Sequence, residues 1–381
     1  MTKIYLIRHA EAEGNLYRRV HGHYDGDITP RGCKQIALLS ERFRGVRVDA
    51  VYASDLRRTQ KTAGALLRDR PLSLNIEPRL KEIGMGIWED SPWGNVGYDQ
   101  PEQLRYFSND PDKWSVAGCE PFPQLRARMT GVLAELAERH EGQTLACFSH
   151  GMAIRALVSG LRDIPSDRIY ETPHGDNTCV AAITYSGGRA DIAYFNDNRH
   201  LPPAVSTFAG QSWWRERRMT FDASNLRIIP MDISEEARLY ADCYRDSWRT
   251  AHGSLKGFSE EPYLRQAEKA VKKSPLSLMK ALSGDDFAGI IELDTERGAE
   301  LDAVWISFLY LTPGLRGNKL GVQLVGHAVS VCRKLGRNAL RLHVAEENKS
   351  ALAFYRKLGF TAVGTENGIV CPLLLLEMKL S

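Results

Sequence analysis

Short apolar runs alternate with amphipathic stretches along roughly the first 195 residues, the usual size of one domain. Ile4–Ile7 is an unbroken apolar run and predicts a buried strand. Thr29-Pro30 supplies an N-cap and a first-turn proline, and Ile36, Leu39 and Phe43 follow at helical spacing. Val48–Ala53 predicts a second strand and Arg58–Leu67 a second helix. Leu125, Met129, Val132 and Leu136 form a helical stripe that stops short of a strand at Thr144–Phe148. Met152–Leu161 reads as helix, and Cys179–Tyr185 with Ala190–Phe195 as a hairpin around Ser186-Gly187-Gly188. Alternation of this kind predicts an α/β fold, a mostly parallel sheet covered by helices.

The rhythm breaks between Asn196 and about Ala223, where Pro202-Pro203 precedes a basic-aromatic run containing Trp213 and Trp214. Such a run can stack on nucleic acid, but it equally suits aromatics buried at a domain junction with arginines facing water, and the modest net charge favours the second. Leu226–Ile229 then opens another α/β unit. The predicted division is therefore residues 1–200, a linker at 201–224, and a second domain at 225–381.

Composition narrows the function classes. The 381 residues are 43% apolar and 25% charged, with a formal net charge of +3. That balance argues against nucleic acid or an anionic membrane as partner. No apolar run reaches the roughly 18–20 residues of a membrane-spanning helix, and the first residues lack a signal-peptide core. Seven scattered cysteines form no C-x-x-C pair. This argues for a reducing, cytoplasmic setting and against a metal site.

Two strand ends carry candidate chemistry. Ile4–Ile7 delivers Arg8-His9-Ala10-Glu11, and Thr144–Phe148 delivers Ser149-His150-Gly151, at the edge where open α/β sheets place ligands. A single strand-end histidine is usually a packing or capping residue. Two of them, with Arg8 beside one and Arg58 at a helix start after another strand, point to phosphoryl chemistry. Guanidinium forks match phosphate oxygens, and a neutral imidazole is a nucleophile near pH 7.

With Asn15, the motif Leu6-Ile7-Arg8-His9-Ala10-Glu11 resembles the signature of the histidine phosphatases, the phosphoglycerate-mutase-like superfamily. Further matches follow in order: His21-Gly22-His23, Thr29-Pro30-Arg31-Gly32, Ser54-Asp55-Leu56-Arg57-Arg58-Thr59, Leu80-Lys81-Glu82, Trp88-Glu89, Phe148-Ser149-His150-Gly151 and Asn177-Thr178. The resemblance implies an α/β sandwich in which His9 becomes a phosphohistidine. Arg8, Arg58 and His150 would clamp the phosphoryl oxygens, Glu82 would protonate the leaving alkoxide, and Asn15, His21 and Gly22 would contact substrate. No metal is implied, because arginines and histidine supply the positive charge. Glu89 reads as a solvated loop carboxylate. Cys119-Glu120-Pro121 and His21 depart from the family pattern at the expected substrate rim. The aromatic region Trp88–Trp114 suits a pocket cap or plain packing equally. The absence of long insertions favours a hydrolase over a mutase.

In the second half a strand from Trp305 runs to Thr312, and Arg316-Gly317-Asn318-Lys319-Leu320-Gly321 leads into a helix carrying Val322, Val325, Val329 and Cys332 on one face. Backbone amides at such a helix start attract anions, though many such loops only close a turn. A strand at Ala339–Val344 and an amphipathic helix with Asn348 and Tyr355 follow. Together these resemble the GNAT-type N-acetyltransferases, a mixed α/β fold. The resemblance implies acetyl-CoA as cosubstrate, held by Leu311 and residues 316–321 with Asn348 on the pantetheine arm, and Tyr355 as acid for the departing thiolate. Lys319 stands where glycine is common. The strand before the loop lacks the family's glutamate base, and Glu292, Asp302 and His343 are substitutes that each read better as structural.

The expected protein is a cytoplasmic bifunctional enzyme acting on a small phosphorylated metabolite and a small amine acceptor, with its oligomeric state open. Two alternatives remain: a phosphatase regulated by a non-catalytic acyl-CoA-binding domain, and a phosphoglycerate-mutase-type phosphotransferase.

Overall fold

A computed structural model describes residues 1–211 and 224–380; Trp213 and Trp214 lie outside the described residues. The described chain forms two compact units, 1–91 with 96–211 and 92–95 with 224–380.

The first unit is built on six strands: β1 (Thr2–Arg8), β2 (Ala50–Ala53), β3 (Leu74–Ile76), β4 (Thr144–Ser149), β5 (Val180–Ser186) and β6 (Arg189–Asp197). They lie in the order β3-β2-β4-β1-β5-β6. The first four run parallel, and the β5–β6 hairpin adds antiparallel to β1. Because side chains alternate along a strand, β1 serves two layers. Tyr5 and Ile7 pack with Leu39 and Phe43 of α2 (Pro30–Phe43) and with Ala63 and Leu66 of α3 (Arg57–Leu67), after a five-residue α1 (Glu13–Tyr17). Ile4 and Leu6, both fully buried, face the opposite layer. Thr29 caps α2, its hydroxyl accepting from Gly32 N at 3.1 Å, with Pro30 in the first turn.

Between β3 and β4 the chain forms α4 (Trp93–Asp99), whose first residues group with the second unit, α5 (Pro101–Asn109) and α6 (Phe122–Arg139). Trp88, Phe107 and Trp114 pack edge to face or tilted, with ring centroids 5.0–5.9 Å apart. Trp88 Nε1 donates to Gln100 at 3.0 Å. Of the two uses open to this aromatic region, these three rings serve packing. After β4, α7 (Gly151–Leu161) begins directly at His150.

The second unit holds seven strands in the order β12-β13-β11-β10-β9-β8-β7. They are β7 (Arg227–Pro230), β8 (Leu278–Ser283), β9 (Asp286–Asp294), β10 (Ala303–Leu311), β11 (Ala339–Ala345), β12 (Thr361–Asn367) and β13 (Pro372–Lys379). Helices α8 (Ile233–His252) and α9 (Glu261–Lys273) precede β8, α10 (Gly321–Lys334) follows β10, and α11 (Lys349–Leu358) follows β11. Strands β10 and β11 form the parallel pair, and every other pairing is antiparallel. That parallel pairing stops at Trp305 and Arg341, although β10 runs on to Leu311 and β11 to Ala345. The two strands therefore part toward their C-terminal ends. Among the described residues, no helix is long and apolar enough to cross a membrane.

Candidate active sites

Three neighbouring strand ends build the first site. The register sets Arg8 beside Ser149 and Ala53 beside Phe148, so His9, His150 and Ser54 leave β1, β4 and β2 side by side. The two imidazole centroids are 5.2 Å apart. His9 Nδ1 lies 2.7 Å from the Ala10 carbonyl. A carbonyl can only accept, so the proton sits on Nδ1 and Nε2 keeps its lone pair. Burial, then the charges of Arg58 and Arg8, push the His9 pKa well below the ordinary 6.5, and the ring is neutral.

Arg58 enters from the first turn of α3 and is 1% exposed. Its Nη2 donates to Gly22 O at 2.7 Å, Nη1 to Tyr24 O at 2.8 Å, and Nε to His150 Nδ1 at 3.3 Å. Burial lowers it to about 10, so it is still a cation at neutral pH. Since His150 Nδ1 accepts, its other nitrogen carries the proton and donates to Ser54 Oγ at 2.9 Å. Both ring nitrogens of His150 are thus engaged with protein. Burial, then Arg58, also holds this ring neutral. Arg8 Nη1 donates to Gly175 O at 2.5 Å, and the guanidinium carbon lies 5.9 Å from the Phe208 ring centroid. Among the described residues its buried Nε has no hydrogen-bond partner. An unmade hydrogen bond of this kind is costly, and an anion beside His9 would remove the cost.

Glu82 follows a short turn at Pro78–Leu80. Oε1 accepts from Ile83 N at 3.0 Å and Ala153 N at 2.9 Å, and Oε2 from Met152 N at 3.0 Å. The carboxylate therefore meets the first turn of α7, directly after His150. Gly22 contributes its carbonyl to Arg58. Asn15 Oδ1 accepts from Ala12 N at 3.1 Å and from Asn177 Nδ2 at 3.3 Å, and the same Asn177 amide donates to His9 O at 3.0 Å. Asn15 thus reaches His9 through Asn177. His21 is not at a rim: its side chain is buried, the ring 4.5 Å from Tyr24 and Nε2 3.9 Å from Asp90, which Arg19 holds at 2.7 Å.

Three features of this site were not readable in advance. Glu89, expected in solvent, accepts four backbone amides. Glu120, expected at the substrate rim, forms a two-pronged pair with Arg128 at 2.9 and 2.7 Å. Arg128 also donates to the carbonyls of Arg79, Lys81 and Glu82, so the pair braces the segment that presents Glu82. Residues 201–211, the described part of the expected linker, pack on the first unit. Thr207 Oγ1 donates to Glu11 at 3.0 Å, Ser206 Oγ to Asp176 at 2.6 Å, and Phe208 lies against Arg8.

In the second unit the loop after β10 carries Gly317 at φ +80° and Lys319 at φ +60°. Residues 316–319 are exposed, and among the described residues the amides of Gly317, Asn318, Lys319 and Leu320 meet no acceptor at hydrogen-bonding geometry. A run of open amides before a helix N-terminus is an anion cradle. Arg316 is turned elsewhere, Nη2 to Asp246 at 2.7 Å and Nε to Leu311 O at 2.9 Å. Gly321 starts α10, and a Cβ there would lie 3.2 Å from the Phe354 ring and 3.5 Å from Leu311. Asn348 caps α11, its Oδ1 accepting from Ala351 N at 3.1 Å. Tyr355 is buried edge-on to Phe354 and Phe360, and burial raises its phenol pKa.

The three substitute bases separate clearly. Asp302 is exposed in a turn, and His343 Nε2 sits 3.2 Å from Glu366. Glu292 is fully buried, accepting from Tyr240 Oη at 2.6 Å and Gln266 Nε2 at 2.8 Å, and desolvation raises its pKa.

Comparison with known proteins assigns a family to each unit. Residues 4–198, just over half the chain, match the family model of the histidine phosphatase superfamily (branch 1), and residues 237–360 match the acetyltransferase (GNAT) family. "Phosphoserine phosphatase 1" of Hydrogenobacter thermophilus is 31% identical over 201 residues, which are 53% of this chain and 95% of that protein. "Probable phosphoglycerate mutase GpmB" of Yersinia pestis is 31% identical over 166 residues, covering 44% of this chain and 77% of that protein. Among solved structures, Bacillus stearothermophilus YhfR superposes with a TM-score of 0.51 at 28% identity, over 52% of this chain and 99% of that one. The relatives indicate phosphatase or mutase-type chemistry for the first unit, and the GNAT match indicates an acetyltransferase-type domain for the second. The chain belongs to the histidine phosphatase superfamily, branch 1, and carries a second domain of the GNAT acetyltransferase type.

Proposed function

We propose that the first unit hydrolyses a small phosphate monoester through a phosphohistidine and that the second transfers an acetyl group from acetyl-CoA to a small amine. One observation carries the first half. His9 is held neutral with its Nδ1 proton committed to Ala10, so Nε2 presents a lone pair beside two buried guanidiniums, one with an Nε–H unpaired among the described residues.

In this reading His9 Nε2 attacks phosphorus, and the bond to the ester oxygen breaks in line. Arg8 and Arg58 stabilise the charge on the non-bridging oxygens. Glu82 delivers a proton to the leaving alkoxide through Oε2, which among the described residues accepts one amide, Met152 N, against two on Oε1. A water then attacks the phosphohistidine, Glu82 takes its proton, and the P–N bond breaks to restore the His9 lone pair and release phosphate. His150 holds Arg58 Nε and walls the pocket beside His9. The phosphorylated hydroxy amino acid named for the Hydrogenobacter relative is the first ester to test.

For the second unit, the open amides of 317–320 suit a pyrophosphate, and the pairing of β10 with β11 ends at Trp305, so Ile306–Leu311 are not paired with β11. Acetyl-CoA supplies the activated thioester when bound. Asn348 and Leu311 would hold its arm, and the Tyr355 phenol, kept protonated by burial, would supply a proton to the departing thiolate.

Chelator-treated enzyme incubated with a phosphate ester should give a phosphoenzyme on His9 by mass spectrometry. His9→Ala should lose both the adduct and hydrolysis while still binding acetyl-CoA by calorimetry. A His9→Ala enzyme with full hydrolysis would overturn the first half of the reading, and a wild type that binds no acetyl-CoA the second.

A further inference from the structure

Glu89, which the sequence places in solvent, accepts four backbone amides beside the first site. Glu89 Oε1 accepts from His23 N at 2.7 Å and Met85 N at 3.0 Å, and Oε2 from Tyr24 N at 2.9 Å and Gly22 N at 3.1 Å. Three consecutive amides, 22 to 24, therefore converge on one anion. The carbonyls of the same loop point the other way: Gly22 O and Tyr24 O accept the two terminal nitrogens of Arg58 at 2.7 and 2.8 Å.

The loop is thus a slab of oriented peptide dipoles between a carboxylate and a buried guanidinium. In the Gly22–His23 peptide the two interactions strengthen each other, because its N–H is drawn to Glu89 and its carbonyl is thereby a better acceptor for Arg58. Gly22 is required for this closeness, since a Cβ there would stand 2.4 Å from Ile83 O and 2.5 Å from Glu89 Oε1. Arg58 is almost fully buried and still charged, so it needs negative charge nearby. The carboxylates acting on it are Glu82, Asp25 and Glu89. Glu82 belongs to the proton-transfer step, and Asp25 is exposed and bonded to Arg57 N at 2.7 Å. Glu89 is the fixed one.

We propose that Glu89 is the positioning residue of the phosphate clamp: it holds the Gly22–Tyr24 loop so that its carbonyls aim Arg58 at the phosphoryl group on or beside His9. The inference rests on the phosphatase reading above and adds to it the source of Arg58's orientation. It makes Glu89 act through Arg58, which a merely structural residue would not do.

The test is a double-mutant cycle on the full chain, reading vanadate affinity and kcat/KM for an aryl phosphate. Glu89→Gln turns one acceptor oxygen into an NH2 group that faces backbone donors. It should weaken vanadate binding and lower kcat/KM by at least about tenfold, an effect of roughly 1.4 kcal/mol. In an Arg58→Ala background, the same change should cost less than about twofold. Glu89→Asp keeps the anion and should retain part of the affinity, and if Glu89→Gln does not fold, the aspartate variant carries the cycle. Equal losses in both backgrounds, or a Glu89 variant that matches wild type, would overturn the positioning role while leaving the phosphatase reading intact. A wild type that neither hydrolyses the ester nor binds vanadate would instead overturn the parent reading.

Discussion

The two units differ in how much charge they bury. The first buries cations and carboxylates alike: Arg8, Arg58 and Arg155 are each under 10% exposed, as are Glu11, Asp90 and Asp176, and the three guanidiniums are satisfied chiefly by backbone carbonyls. Its histidines 9, 150 and 174 are neutral because burial and those guanidiniums oppose protonation. The second unit buries rings and, among the described residues, one carboxylate. Tyr244 stacks between Tyr263 and Phe308 at 4.1 and 3.9 Å, and Glu292 sits beside Tyr240. Its anion-facing loop is exposed, with Arg316 tied to Asp246. The difference separates a site whose cations are held in place within the protein from a loop whose amides face solvent. A preassembled site spends less of its binding energy on organisation.

The largest expected effect tests the chemistry of the preassembled site. Glu82→Gln should slow hydrolysis of alkyl phosphates by about 10²–10⁴-fold, the usual worth of a positioned general acid. Aryl phosphates, whose leaving groups need little protonation, should be slowed far less. Equal losses on the two ester classes would mark Glu82 as a brace for α7 rather than an acid.

Acid should separate the units next. Histidines 9, 150 and 174 have native pKa values below 6.5, and His200 is pushed down to about 4, by burial first in each case. Below pH 6.5 the unfolded chain takes up protons that the native state refuses, so stability falls with pH, by up to about 1.4 kcal/mol per histidine per pH unit. Glu292 has the opposite sign. Its native pKa lies above its ordinary 4.5, so its burial costs most at neutral pH, and the cost fades as pH falls toward 4.5. Scanning calorimetry from pH 7.5 to 5 should show the first unit's transition, identified by its vanadate shift, falling the more steeply. A steeper fall for the transition that acetyl-CoA shifts would break the comparison.

The smallest effect concerns the open loop. Gly317 has φ +80° and open space around it, so Gly317→Val should disturb only the local backbone. We expect acetyl-CoA to bind about tenfold more weakly, roughly 1.4 kcal/mol, with hydrolysis unchanged. Gly321→Val is a poorer probe, since its Cβ meets the Phe354 ring at 3.2 Å and would lower the melting temperature as well. Wild-type affinity in Gly317→Val would remove the loop from acetyl-CoA recognition.

By itself the sequence determined where reactive side chains leave the sheets. A buried strand is a short apolar run, and the first polar residues after it stand at the sheet's edge; Arg8-His9 and Ser149-His150 are legible for that reason. The loop after β10 is legible on the same principle, with glycine marking the turn. The helical layer of α8 and α9 is not legible in the same way, since its residues carry no motif. Only the tertiary structure decided which carboxylates work behind the site. Glu89 finds its loop amides 65–67 residues earlier, and Thr207 reaches Glu11 across 196. Backbone amides and carbonyls are the same at every residue, so a carboxylate that gathers them leaves no trace in residue type or spacing. A glutamate in solvent and a glutamate holding a loop are written with the same letter, and the packing of distant segments alone tells them apart.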